Sequence, residues 1–144
     1  MRVERDVEIE RPIEQVFDYV ADARNDPRWC PKVVSCDQIE GDGPGAAARY
    51  RARHRPSRLK PEAELEIQLT AYERPRRLRW REEDEDGVFD VTYELESTAE
   101  GTRFIQRSEI DWKLPRLLRP FAARMVARHV DEQLSELKRV LESR

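Results

Sequence analysis

The C-terminal third of the chain constrains the fold most. From Phe121 to about Glu142 the residues hold an unbroken helical pattern. At about 100° of rotation per residue it carries two apolar stripes. Val126, Val130, Leu134, Leu137 and Leu141 make one of them. Leu114, Leu118, Phe121 and Met125 make the other, roughly 140° away, with His129 at the edge between them. A helix with one face for a sheet and a second, displaced face is expected to close over a hollow. That hollow is where function is to be sought.

The chain before this helix is dominated by alternation. Val3, Val7 and Ile9 alternate with acids and predict a half-buried first strand, with Arg5 on the apolar parity as either an edge charge or a pocket residue. Pro12 opens a first short helix whose inner face is Ile13, Val16, Phe17 and Val20. Asp22 caps a second short turn, limited by Pro27. Strand patterns follow at Lys32 to Glu40, Ala46 to Arg53, Glu62 to Glu73, Arg77 to Glu83, Val88 to Glu96 and Thr102 to Trp112. The connections are the Gly41–Gly45 loop, the loop from Arg55 to Pro61, the acidic hairpin tip Glu82–Gly87 and a turn at Ala99–Gly101. Short connections make neighbouring strands antiparallel, and a sheet of about seven strands twists and curls. The terminal helix then lies in its concave face. Ala46, Ala48, Ala52 and Ala63, read as small inward residues, leave room between the layers.

Composition narrows the class. A chain of 144 residues is expected to be one domain, 1–144, able to bury about 70% of its unfolded surface. Charged residues reach 40%, but they alternate with apolar ones instead of running in the long blocks of a disordered segment. A net charge of −3 gives no reason to expect nucleic acid. Cys30 and Cys36, with two histidines in the whole chain, do not make a zinc site and read as free thiols. Met1-Arg-Val-Glu opens directly into a strand pattern, with no leader-like segment and no apolar run of spanning length, so a cytoplasmic protein is expected.

Several segments resemble the START-like, helix-grip superfamily, and within it the polyketide cyclase/dehydrase and lipid-transport group, also called SRPBCC. They are Ile9-Glu-Arg-Pro-Ile-Glu-Gln-Val-Phe-Asp-Tyr-Val20, then Asp22-Ala-Arg-Asn-Asp-Pro-Arg-Trp29 with Pro31, and Tyr72-Glu-Arg-Pro-Arg-Arg-Leu-Arg-Trp80. Val91-Thr-Tyr-Glu-Leu-Glu96 with Gly101-Thr-Arg103, and the helix from His129 to Leu141, complete the set. The likeness covers almost the whole chain. It implies an α+β helix-grip fold and a small hydrophobic ligand, polyketide-like or aromatic. It does not separate a cyclase/dehydratase from a lipid or quinone carrier or from an interaction module without ligand, because relatives of this fold do all three. Enzyme status therefore stays open, as does the choice between monomer and homodimer.

Candidate site residues are few. His129, with an intrinsic pKa near neutrality, suits acid–base work on an enolisable ketone, and the plainer reading is a helix-flank histidine bonded to the sheet or to water. His54, between Arg53 and Arg55, reads as a surface residue. Tyr50, Tyr93, Gln106 and Ser108 fall on inward parities and carry groups that orient a ligand oxygen, although either tyrosine also suits a packed core. Leu65, Ile67, Trp80, Leu118, Phe121 and Met125 supply the apolar lining. Trp29 reads as a plug at one end of the sheet. Lys113 to Val130 carries five basic residues and no acid, interleaved with Leu114, Leu117, Leu118 and Phe121. A transient membrane contact through Lys113–Arg128 is one reading of it, and a solvated basic face paired with the acidic hairpin is the other. No Ser-His-Asp set, phosphate loop or metal cluster is evident, so neither cofactor nor metal is expected.

Overall fold

The computed structural model describes residues 1–55, 59–85 and 87–144. Pro56 to Arg58 of the Arg55–Pro61 loop, and Asp86 of the acidic hairpin, lie outside the described residues. Seven strands are present: β1 (Arg2–Ile9), β2 (Val33–Glu40), β3 (Arg49–His54), β4 (Ala63–Glu73), β5 (Arg77–Asp84), β6 (Gly87–Ser97) and β7 (Thr102–Trp112). They form one antiparallel sheet in the order β1-β7-β6-β5-β4-β3-β2. Strands consecutive in sequence from β2 to β7 are neighbours, as short loops require. β1 and β2 end up on opposite edges, and α1 (Ile13–Val20) and α2 (Asp26–Trp29) fill the chain between them. The third helix, α3 (Arg119–Glu142), follows a 3-10 turn at Arg116–Leu118.

Alternation sets which residues face the helix. On β4, Leu65, Ile67 and Leu69 are buried, while Glu64, Glu66 and Gln68 are exposed. The outer face is covered by charges that answer one another across strands. Arg49 pairs with Glu66, Arg53 with Glu64 at 3.9 Å, Arg55 with Glu62 at 3.0 Å and Arg103 with Asp6 at 2.8 Å. Exposed pairs of this kind contribute about 0–1 kcal/mol each, so they keep the outer face soluble more than they hold the fold together.

The fold is held by the inner face. Val130, Leu134, Leu137 and Leu141 of α3 are buried against the sheet. Each contributes about 1.5–3 kcal/mol as an upper value. The C-terminal end of α3 is also clamped. Lys138 Nζ donates to the Glu8 carbonyl at 2.7 Å, and Arg11 donates to the carbonyls of Glu142 at 2.8 Å and Arg144 at 2.6 Å. Those carbonyls have no partner within the helix, so a guanidinium there satisfies them and complements the helix dipole. Arg5 pairs with Asp131 at 3.1 Å, which places it at the β1–α3 seam and not in a pocket. At the turn between β6 and β7, a Cβ on Gly101 would lie 2.1 Å from the Ile9 carbonyl, so the close approach of β1 requires glycine there.

At one end of the sheet the space is solid. Trp29 is fully buried and meets Tyr93 and Phe104 edge-on, at centroid distances of 6.0 and 6.3 Å. Tyr50 and Trp80 make a similar contact at 5.8 Å. Three expectations need correction here. Ala46 and Ala63 are exposed, and only Ala48 and Ala52 face inward. Pro27 does not close a helical turn but stands in the first turn of α2, where its missing N–H goes unmissed. The second apolar stripe of the C-terminal segment is mostly uncovered: Leu114 is half-buried, but Leu118, Phe121 and Met125 are exposed, Phe121 by 67%. Val126 of the first stripe still packs against the core, while the displaced face is left largely to solvent.

Candidate functional site

A cleft of about 160 Å³ remains between the sheet and the N-terminal half of α3. Its floor comes from the central strands: Val91 and Tyr93 on β6, with Gln106 and Ser108 on β7. Leu65 and Ile67 of β4 and Glu82 of β5 continue it to one side. The roof is Val126, His129, Val130 and Gln133 of α3. Asp26, Cys30 and Lys32 close it from the α2 side, and His54 and Asp84 flank it. A wider groove of about 510 Å³ crosses the outer face, but its walls, Arg49, Arg51, Glu64, Glu66, Arg81 and Glu83, include the residues of that face's ion pairs.

Register explains how polar groups reach an apolar hollow. On β5 the inward parity of Leu78 and Trp80 extends to Glu82, whose partners across the ladder are Ile67 and Phe89. On β3 the parity of Tyr50 and Ala52 extends to His54. These residues inherit the interior from their neighbours, whatever their polarity.

Burial then shifts their titration. It pushes the Glu82 carboxyl up to about 7, helped by the charge of Asp84. Asp26 is raised well above the carboxylate range by burial and by Glu82 and Asp22. The Trp29 indole N–H is turned toward Asp26 and opposes that rise, although it completes no hydrogen bond of ordinary geometry. Lys32 is brought down to about 8, again chiefly by burial. His54 and His129 are both lowered, first by burial and then by the nearby Lys32 cation. Cys30 and Cys36 are buried free thiols whose pKa values burial raises. Desolvation is the leading cause of every one of these shifts. Near neutral pH it sets a partly protonated acid on one wall against neutral imidazoles on the others. Among the described residues no three metal-ligating side chains converge to hold an ion.

Of the residues expected at the site, Leu65, Ile67, Tyr93, Gln106, Ser108 and His129 line the cleft. Tyr50 and Trp80 do not, because their contact with each other belongs to the packed end. Leu118, Phe121 and Met125 lie outside it on the exposed face of the segment. His54 is half-buried and stands in the cleft wall. Glu82 reads from the sequence as part of the acidic hairpin tip, yet β5 runs through it and turns only after Asp84. The parity of its own strand is the signal that locates it. Asp26 and Lys32 sit on a short helix and its exit, where no periodicity points inward.

The sequence matches the family described as "Polyketide cyclase / dehydrase and lipid transport" over residues 1–142. The chain belongs to that family. No curated protein matches it. Solved structures with a similar fold include TTHA0849 of Thermus thermophilus, at 20% identity and TM-score 0.79, with 99% of this chain and 97% of that one covered. A START superfamily protein of Mycobacterium smegmatis is similar at 13% identity and TM-score 0.80, covering 99% and 97%. The di-domain ARO/CYC BexL, from the BE-7585A biosynthetic pathway, aligns at 15% identity and TM-score 0.81; all of this chain spans 50% of BexL. At these identities the likeness establishes the START-like helix-grip fold. No helix is long and apolar enough to cross a membrane among the described residues.

Proposed function

We propose that this chain, acting as one ligand-binding unit, holds a small oxygenated ring compound of polyketide-like or aromatic type in the cleft under α3. The family supports a hydrophobic ligand of this class. The observation that carries the reading is the lining: apolar side chains of floor and roof share the cleft with Glu82, Tyr93, Gln106, Ser108, His129 and Gln133, and Asp26, Lys32, His54 and Asp84 stand at its sides. A lipid carrier needs an apolar hollow of several hundred Å³. About 160 Å³ with this many polar groups suits a compound of about one ring, since an engineered cavity of ~150 Å³ takes benzene.

The same lining supports acid–base chemistry on an enolisable ketone. Neutral His129 takes the α-proton, the resulting enolate carbon attacks a second carbonyl of the same molecule, and protonated Glu82 returns a proton to the alkoxide. The cyclised product is an isomer of the substrate, and loss of water from it gives a dehydrated ring. Mass spectrometry of compounds released from the natively purified protein tests the binding reading. A ring-sized oxygenated compound supports it, and a long-chain lipid overturns it. With that compound or its open-chain precursor, His129→Ala is expected to keep affinity within about threefold and lose turnover. Turnover that survives removes His129 from the chemistry.

A specific observation favours a second contact. Leu117, Leu118, Phe121 and Met125 are exposed beside Lys113, Arg116, Arg119, Arg124 and Arg128, and among the described residues none of these five cations forms an ion pair. We propose that this segment touches an anionic lipid surface. The chain should pellet with phosphatidylserine-containing vesicles and not with purely zwitterionic ones, and Phe121→Asp should abolish pelleting. Equal pelleting with both vesicle types, or none, overturns the contact.

A further inference from the structure

The cleft contains a buried acceptor with nothing to accept from. Gln106 is 5% exposed, lines the cleft, and its Oε1 makes no hydrogen bond. A buried amide oxygen without a donor is costly, and such atoms are rare enough to need a reason. Tyr19, Trp29, Tyr50 and Trp80 also have buried polar atoms without partners, but none of these residues lines the cleft, so among the described residues Gln106 is the one such residue that borders it.

The sheet register places Glu82 diagonally across from it. Gln106 pairs with Tyr93, which pairs with Leu78 of β5; Glu82 is on that same strand, next to Phe89. Two strands over and four residues along puts the two Cα atoms about 16 Å apart at ordinary strand spacings. The midpoint of that diagonal is Val91, which pairs with Trp80 on one side and with Ser108 on the other. Val91 is therefore the apolar platform between an unfilled acceptor and a half-buried carboxyl.

We propose that the cleft recognises its ligand through these two ends: a ring over Val91 gives a hydrogen bond from a phenol or enol hydroxyl to Gln106 Oε1, and takes one at an opposite carbonyl oxygen from the carboxylic acid of Glu82. The ligand class is a single-ring hydroxyaryl ketone or its cyclic enol equivalent. The inference deepens the reading of this cleft as a ligand site and rests on it. Ser108 flanks the ring, and Tyr93 shares the Gln106 end of the floor. Free Glu82 acid is available as a donor because the site disfavours its ionised form.

Three compounds of one shape test it: para-hydroxyacetophenone with both ends, para-methoxyacetophenone without the donor, and para-ethylphenol without the carbonyl. Affinity is measured by calorimetric titration at about pH 6, where the phenols are neutral, and location by amide shifts of the labelled protein. The expected result is about tenfold tighter binding of para-hydroxyacetophenone than of either partner compound, since a buried polar group left unpaired weakens binding by roughly that factor. Gln106→Leu should erase the advantage over the methoxy compound while keeping the fold, and Gln106→Met serves if the leucine variant is unstable. Glu82→Leu should erase the advantage over para-ethylphenol, whereas Glu82→Gln, which keeps an N–H donor, should retain it. Equal affinities for all three compounds, with shifts at Tyr93, Ser108 and Val130, overturn this inference and leave the cleft a ligand site. Shifts at none of these positions for any compound overturn both.

Discussion

Glu82 shows how one residue ties site to stability. Its carboxyl titrates near 7 in the fold against 4.5 for an ordinary glutamate. For an acid, a raised pKa means that the folded chain holds the proton more tightly than the unfolded chain. Below pH 4.5 both states are protonated and folding loses nothing. Between 4.5 and 7 the unfolded chain ionises first, and the fold becomes progressively less stable; above 7 the loss is complete. At 1.36 kcal/mol per unit the full loss is about 3 kcal/mol, an upper value because the residue is only half-buried. Glu82→Gln should therefore leave Tm nearly unchanged at about pH 4 and raise it by several degrees at about pH 8. It also removes one of the charges that raise Asp26. An equal Tm shift at both values would show that Glu82 is solvated in the folded protein.

At the scale of elements, α2 does the most with the least length. Four residues, Asp26–Trp29, bring a fully buried indole against Tyr93 and Phe104 and set Asp26 at the cleft. Trp29→Ala should destabilise the fold by about 3–5 kcal/mol in urea unfolding, as large-to-small changes in a packed core do. Leu117→Ala, on the exposed turn before α3, should change it by less than about 0.5 kcal/mol. Comparable losses would mean that Trp29 is not part of the core. All seven strands and the long helix were legible in the sequence, because alternation at period 2 and a stripe at period 3.6 are consequences of burying one face. Their ends were less so: β3 begins at Arg49 and not at Ala46, since nothing in a run of three alanines marks where ladder pairing starts.

Across the whole molecule, charge is sorted and not merely balanced. The net charge is −3, yet the segment from Lys113 to Arg128 is basic throughout and next to the cleft roof formed by Val126, His129 and Val130. α3 is anchored at its C-terminal end by Arg11 and Lys138, while its first turns carry an uncovered apolar face. Vesicle pelleting through that face should fall steeply as salt is raised from about 50 to about 500 mM, because screening shortens the reach of five exposed cations. Salt-independent pelleting would show that Phe121 and its neighbours act by apolar insertion alone.

The sequence by itself determined the strand and helix inventory, the antiparallel meander, the family resemblance and six of the residues that face the cleft. Each follows from periodicity or from local turn chemistry, which a linear chain carries in full. Tertiary structure alone decided which of the helix's two apolar stripes is covered. It also brought Asp26, Lys32, His54 and Glu82 from separate elements into one half-buried cleft, where proximity and desolvation, neither of them a property of any single segment, shift the titration of each group.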